Sequence, residues 1–456
     1  MNDLTTTNSA EPVVEPKIIP VEEHGIRAEQ IGEHAQTVLT RLEQAGFDAY
    51  AVGGCVRDLL LGRVPKDFDV VTNARPEEVK RLFRFSRIIG RRFKIVHVIF
   101  HGEVIEVTTF RGGDADQVAR GDAGMITRDN VFGRIDEDVF RRDFGCNALY
   151  YNLEREEITD FVDGVADIRA RRLRVIGDVQ TRFAEDPVRM LRAARFAAKL
   201  DFELTPEVEQ GVAQCKDRLT QIAPARLYDE LIKLLQSGQG VRSLFWLQRL
   251  DLLAPLFAEL DQALKTQPQG LEYQLIQKVL AATDRRVANA LPVNPAFLLA
   301  GLFWRRLCAA RERWMVQRVP GDDALILAAD AVLAEASRQV MIPRRLADII
   351  RSVWALQAEL ERHCGEISNQ WRVVSADAKP STLPPKNLTE AKWFRAAVDF
   401  LCLRAEAGEL SPDVCAFWRQ YAPERGADEP VVAALTAEDF GKGKPRRRRR
   451  GGRRRG

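Results

Sequence analysis

Gly53-Gly54-Cys55-Val56-Arg57-Asp58, followed at a short interval by Lys66-Asp67-Phe68-Asp69, decides the reading of this chain. The glycines come directly after an apolar run, Ala49-Tyr50-Ala51-Val52. Glycine lets a backbone turn tightly and approach a ligand where a Cβ would collide. In an extended strand, residues i and i+2 share a face. A strand over residues 67–71 therefore aims Asp67 and Asp69 at one point. Two converging carboxylates suit Mg²⁺, a hard cation that keeps waters and binds substrate phosphates. The chemistry indicated is metal-assisted nucleotidyl transfer, with one ion activating a hydroxyl and another steadying the leaving pyrophosphate. An isolated Asp-x-Asp is most often a solvated turn, and the Gly-Gly half at this spacing sets this one apart.

The two halves together resemble the signature of the bacterial class II nucleotidyltransferases, the family that holds the poly(A) polymerases and the tRNA CCA-adding enzymes. Arg141-Arg142-Asp143-Phe144-Gly145-Cys146-Asn147 resembles the family's Arg-Arg-Asp-Phe-Thr-x-Asn motif and departs from it at Gly145-Cys146. Glycine in a helix costs about 1 kcal/mol against alanine, so a looser local helix is expected there. Glu185-Asp186-Pro187-Val188-Arg189 is similar to the nucleotide-selecting motif Glu-Asp-x-x-Arg. Ala223-Pro224-Ala225-Arg226-Leu227-Tyr228-Asp229-Glu230-Leu231 is similar to a neck segment of the family. The resemblance spans roughly residues 30–240.

It implies an α+β fold: a polymerase-β-like nucleotidyltransferase head, then an all-helical neck and body, with disordered termini. The expected limits are a flexible leader at 1–28, the head at 29–165, a neck for nucleotide selection and RNA binding at 166–245, a body at 246–428 and an arginine-rich tail at 429–456. It implies Asp67, Asp69 and Asp143 as the catalytic acids, a two-metal Mg²⁺ site and ATP as substrate. Gly53, Gly54, Arg57, Asp58, Arg111, Arg142, Asn147, Asp186, Arg189, Arg192 and Arg195 are the expected nucleotide-binding positions. Glu106, on a mostly apolar strand at 103–110, needs a partner. It is either a third metal acid with Asp67 and Asp69 or the partner of Arg111.

Physical chemistry supports several of these roles independently. A short helix at 56–61 would turn its first amides toward a phosphate, and Arg57 would add a fork of donors; alternatively, Arg57-Asp58 is a local surface pair. Asp186 fits an N-cap and Pro187 the first helical turn. Arg189, Arg192, Arg195 and Lys199 then fall on one side of the helix. An acceptor at Asp186 and a donor at Arg189 could meet an adenine's N6 and N1.

Within the family, Gly90-Arg91-Arg92-Phe93-Lys94-Ile95-Val96-His97-Val98 looks like the poly(A) polymerase version of its strand. The end of the chain points the same way. Residues 442–456 hold ten basic side chains and no acid, against a formal net charge of +3, which leaves the rest at −7. Such a run cannot fold alone and suits a sequence-blind grip on polyanions. The expected function is template-independent polyadenylation of RNA 3′ ends from ATP. CCA addition to tRNA is the nearer alternative, and a non-catalytic RNA-binding adaptor the more distant one. RNA-decay proteins are further expected partners.

The remaining features set bounds. A chain of 456 residues is too long for one ordinary domain, and 46% hydrophobic residues provide a sizeable core. No apolar run reaches the length of a membrane span, and the first residues lack a signal-peptide pattern. Seven cysteines, with no C-x-x-C pair, favour reduced thiols in a cytoplasmic protein. The periodicity predicts an amphipathic helix at 29–45 stopped by Gly46, and strands at 48–52, 86–90, 93–100 and 103–110, with a turn at His101-Gly102. It further predicts a mobile loop at 111–133, a helix at 136–147 and a hairpin from 149–153 and 158–161. Helices fill 245–425, broken by a loop at 372–391.

Overall fold

The computed structural model describes residues 15–90, 94–112, 119–120, 126–128, 131–371 and 383–422. The chain divides into two compact units, residues 1–234 with 242–258, and residues 235–241 with 259–456.

The first unit is built on strands β1 (Lys17–Ile19), β2 (Ala49–Val52), β3 (Asp69–Thr72), β4 (Ser86–Ile89), β5 (Ile95–Ile99) and β6 (Val104–Thr109). After a small hairpin of β7 (Ala119–Arg120) and β8 (Ile126–Arg128) come β9 (Leu149–Asn152) and β10 (Glu157–Asp160). Eight of these form one sheet in the order β1-β10-β9-β2-β3-β6-β5-β4. Its pairings are antiparallel except β3 with β6, which is parallel. A parallel pair needs a crossover, and the helix Pro76–Leu82 with the β4–β5 hairpin supplies it.

The helix Glu33–Gln44 buries Ala35, Val38, Leu39 and Leu42 against this sheet, as their spacing predicts. Gly46, at φ +84°, ends it. The helix starts later than expected, because Ala28–Gln30 form a separate 3-10 turn. The expected leader also needs correction: Lys17–Ile19 add an edge strand to β10, with Lys17 opposite Asp160. The loop expected at 111–133 is partly ordered. Its stem is closed by Gly112 N–H to Val131 O at 2.8 Å and Gly133 N–H to Phe110 O at 2.9 Å. The β7–β8 pair stands within it, and residues 113–118, 121–125 and 129–130 lie outside the described residues.

Helices Val179–Glu185, Val188–Leu200, Pro206–Cys215 and Pro224–Leu235 follow. Between them β12 (Glu203–Leu204) pairs in parallel with β11 (Arg172–Leu173).

The second unit is helical throughout its described residues, with Arg344–Trp371 the longest element. Leu356, Leu360, Phe394, Val398, Leu401 and Trp418 are core residues there. Arg404 is almost fully buried, and burial of a charge requires partners. It has Glu361 Oε1 at 2.6 Å, Gln357 Oε1 at 3.0 Å and Glu409, and it lies over the Trp304 ring. The expectation of reduced thiols fails at one place. A turn at Gly408, φ +85°, folds the helix Pro412–Arg419 back on Phe394–Glu406, bringing Cys402 and Cys415 to a Cα separation of 4.8 Å, where they form a disulfide. The other five cysteines are free. Among the described residues no helix is long and apolar enough to cross a membrane. The arginine-rich tail and most of the 372–391 loop lie outside the described residues.

Candidate active site

Strand β2 delivers the chain into Gly53, whose φ of +81° and ψ of −123° exclude an ordinary side chain. The helix Gly54–Leu60 begins immediately, two residues earlier than expected. Arg57 on this helix is only 3% exposed. Its Nε and Nη2 donate to Asp58 Oδ1 at 2.9 and 2.7 Å, and its Nη1 donates to Asn147 Oδ1 at 2.5 Å. It also lies over the Phe196 ring. Arg57 therefore braces the glycine turn against Asn147, and most of its fork is occupied within the protein.

Asp69 is the first residue of β3, and Asp67 precedes the strand, so the expected start at residue 67 is two residues early. The neighbouring register sets Asp69 directly beside Glu106 on β6. Asp69 keeps an open side to solvent, yet its place on an interior strand between β2 and β6 removes enough water to matter. That desolvation, then the charges of Glu106 and Asp67, push its carboxyl up to about 6. Three acids thus crowd one spot. Glu106 has His97 Nε2 at 3.2 Å across the β5–β6 pair. Arg111, its other expected partner, turns its backbone N–H to Asp138 Oδ1 at 3.1 Å, and its charge acts on Asp138. Among the described residues no three His, Cys, Asp or Glu side chains form a ready-made metal cage. Crowded, desolvated carboxylates fit a cation that completes its shell with water and phosphate, as Mg²⁺ does.

The helix expected at 136–147 ends at Arg141. The backbone is drawn away by its neighbours: Ile176 N–H donates to Asp143 O at 3.1 Å, and Gly145 N–H to Arg174 O at 3.1 Å. The unusual Gly145 has a packing reason. A Cβ there would lie 2.7 Å from Asp167 Oδ2 and 3.3 Å from Arg174 Nη2. Asp143 then accepts from Arg192 Nε at 2.7 Å, from Phe144 N–H at 2.9 Å and from Asn147 Nδ2 at 3.3 Å. Burial opposes its ionisation, but the Arg192 guanidinium overrides it and holds the carboxyl down to about 2. Arg142 donates to Asp138 Oδ2 through Nε at 3.1 Å and Nη2 at 2.9 Å, and through Nε to Tyr150 Oη at 2.9 Å. Asp138 stands four residues before Arg142, a helical pairing distance, so that contact could have been found from the sequence.

On the next helices each member of the expected base-selecting pair has a protein partner of its own. Asp186 Oδ2 accepts from Arg226 Nη2 at 2.5 Å, and its Oδ1 accepts from Val188 N–H at 3.3 Å; the N-cap of that helix is Pro187, one residue later than expected, and Asp186 closes the preceding helix as its C-cap. Arg189 donates to the Arg182 carbonyl at 2.8 Å. Arg182 is pushed down to about 10 by burial and by Arg189. Arg195 Nε donates to Glu230 Oε1 at 2.6 Å. Arg226 and Glu230 lie in the segment marked as neck-like; their partners were not legible without the fold.

Comparison with known proteins bears directly on this arrangement. A family described as the poly A polymerase head domain matches residues 49–174, and one described as the polymerase A arginine-rich C-terminus matches 317–455. Residues 201–264 match a probable RNA and SrmB-binding site of polymerase A. Poly(A) polymerase I of Salmonella typhi is 41% identical over 444 residues, 95% of this chain and 90% of its own length.

The chain belongs to the poly(A) polymerases.

Poly(A) polymerase I of Escherichia coli O6:H1 is 42% identical over 85% of this chain and 82% of its own. The likeness thus reaches far past residue 240, into the body. A CCA-adding enzyme of Lactobacillus delbrueckii subsp. bulgaricus is 41% identical, but over only 46% of this chain and 52% of its own. Among solved structures, the Bacillus stearothermophilus CCA-adding enzyme in complex with CTP is similar at a TM-score of 0.53, with 26% identity over 84% of this chain and 80% of that one. The two branches share the fold, and poly(A) polymerases share nearly the whole chain.

Proposed function

We propose that this polynucleotide adenylyltransferase extends RNA 3′ ends one adenylate at a time from ATP, without a template, at the cluster of Asp69, Asp67 and Glu106. The observation that carries this is the crowding of those acids beside the Gly53 turn, in a chain alike to poly(A) polymerases over almost all its length.

Asp67, Asp69 and Glu106 would hold Mg²⁺, leaving the other ligand positions to water and nucleotide oxygens. Bound there, Mg²⁺ neutralises triphosphate charge and makes a 3′-hydroxyl more acidic. Gly53 reverses the backbone so that the amides opening the next helix face the triphosphate. Arg142, fixed by Asp138 and Tyr150, adds a pre-set positive charge, and fixed charge avoids reorganisation as the reaction proceeds. Asp143 works through Arg192, tying this motif to the helix Val188–Leu200. Asp186 and Arg189 read adenine. A carboxylate has about four acceptor positions, so Asp186 keeps room for the N6 amino group beside Arg226.

RNA is gripped by the tail at 442–456, and the 201–264 match supports RNA and an RNA-decay partner at the neck. We propose the cytoplasm as the site of this work. The test offers ATP, CTP, GTP and UTP separately to an unstructured RNA and to tRNA. The proposal expects a long adenylate-only ladder on the unstructured RNA. Addition confined to C and A on tRNA would mark a CCA-adding enzyme instead.

A further inference from the structure

Four residues on adjacent strands stand in one row across the sheet: Asp69 beside Glu106, Glu106 beside His97, and His97 beside Arg87. Residues directly opposite on paired strands share a face. The row therefore runs from the acidic cluster to the edge strand β4, about 14 Å at three strand spacings. Arg87 shares its face with Phe85, two residues earlier, which is 70% exposed. The Arg84 guanidinium lies 5.6 Å from that ring. Ile99, 37% exposed, backs the same spot, where Ile99 N–H donates to Phe85 O. A hollow of about 490 Å³ opens between Phe85, Arg87, Ile99 and His101. Among the described residues neither Arg84 nor Arg87 has an acidic partner, and the sequence from Lys80 to Lys94 carries seven basic residues and no acid.

An exposed aromatic ring among unpaired cations, continuous with a nucleotidyl-transfer centre, matches what single-stranded nucleic acid requires. Bases stack on aromatic faces while cations follow the backbone. We infer that the open face from β6 to β4 is the track of the RNA strand behind its 3′ end, with Phe85 stacking a base and Arg87 taking a phosphate. The inference rests on the reading of Asp69, Asp67 and Glu106 as the transfer centre. The apolar neighbours keep the stacked base from water, and the edge position leaves the strand free to continue outward.

The test uses the full chain, fluorescein-labelled A15 RNA without ATP, and Phe85→Ala, Phe85→Trp and Arg87→Ala variants. Loss of one stacking platform lowers A15 affinity about tenfold for Phe85→Ala, and Phe85→Trp retains it. Arg87→Ala flattens the slope of log affinity against log salt by about 0.7. In extension, kcat/KM falls more for A15 than for the dinucleotide ApA, which at about 3.4 Å per stacked nucleotide ends short of Arg87. The KM for ATP stays within about twofold. Wild-type A15 binding in both alanine variants would overturn the inference and assign the face to another partner, such as an acidic protein segment. Equal losses for A15 and ApA would overturn it by showing a disturbed centre. If the wild-type chain extends no RNA yet the binding differences hold, the proposed function fails and the track stands.

Discussion

Arg192, on the helix Val188–Leu200, donates Nε to Asp143 Oδ2 at 2.7 Å, and Asp143 is about nine-tenths buried. This contact joins the family's Arg-Arg-Asp-Phe segment to the neck. Removing Arg192 strands a carboxylate in a poorly solvated place. Arg192→Ala is expected to cost about 2–3 kcal/mol, just under the range for breaking a fully buried pair, because Arg192 keeps a third of its surface in water. Urea unfolding measures it, and a change under 0.5 kcal/mol would show the pair to be dispensable.

The same pair sets a pH dependence. The folded carboxyl is held down to about 2, below its unfolded value near 3.9. Its stabilisation is therefore fully present above about pH 4 and disappears as the pH falls toward 2. Asp143→Asn is expected to reduce the loss of stability across that window. Identical slopes in wild type and variant, followed by denaturant midpoints, would contradict the assignment.

Asp69 behaves oppositely. Its folded carboxyl lies near 6, above the unfolded value, so the folded state binds more protons between about pH 4 and 6. Without a cation, stability falls as pH rises through that window. In EDTA at pH 7.5, Asp69→Asn is expected to raise Tm even as it removes activity. A lower Tm would show that the ionised acid is structurally needed.

Gly145→Ala places a Cβ 2.7 Å from Oδ2 of Asp167, a fully buried carboxylate paired with the partly exposed Arg174. Overpacking of this kind costs about 1–3 kcal/mol. Denaturant unfolding is expected to show that loss, and an unchanged midpoint would mean the segment relaxes freely.

Deleting residues 442–456 is expected to weaken RNA binding and flatten its salt dependence while the KM for ATP holds. Single-stranded RNA contributes a slope of about −0.7 per neutralised phosphate. An unchanged slope would remove the tail from RNA binding.

Much of the site was legible because its signals are local. The Val52-Gly53-Gly54 passage needs only a strand ending at a residue with positive φ, and the structure has both. The amphipathic spacing of Ala35, Val38, Leu39 and Leu42 placed the covering helix. What escaped was set by distant chain. Helix propensity extended 136–147 past Arg141, but bonds from residues 174–176 pull that backbone straight. The i, i+2 rule put Asp67 in the strand, yet pairing with β2 begins only where Val52 meets Asp69. The spacing offers Asp186 and Arg189 to an incoming base, but their contacts with Arg226 and the Arg182 carbonyl come from the fold. Cys402 and Cys415 meet only because a helical hairpin folds between them.

The most direct measurement is primer extension by Asp67→Ala and Asp69→Ala, with A15 RNA, ATP and Mg²⁺, beside a fold check by circular dichroism. Loss of carboxylates that organise phosphate charge is expected to lower kcat at least about 10³-fold in each folded variant. Adenylate addition at the wild-type rate by either one would contradict the placement of the reaction at these acids.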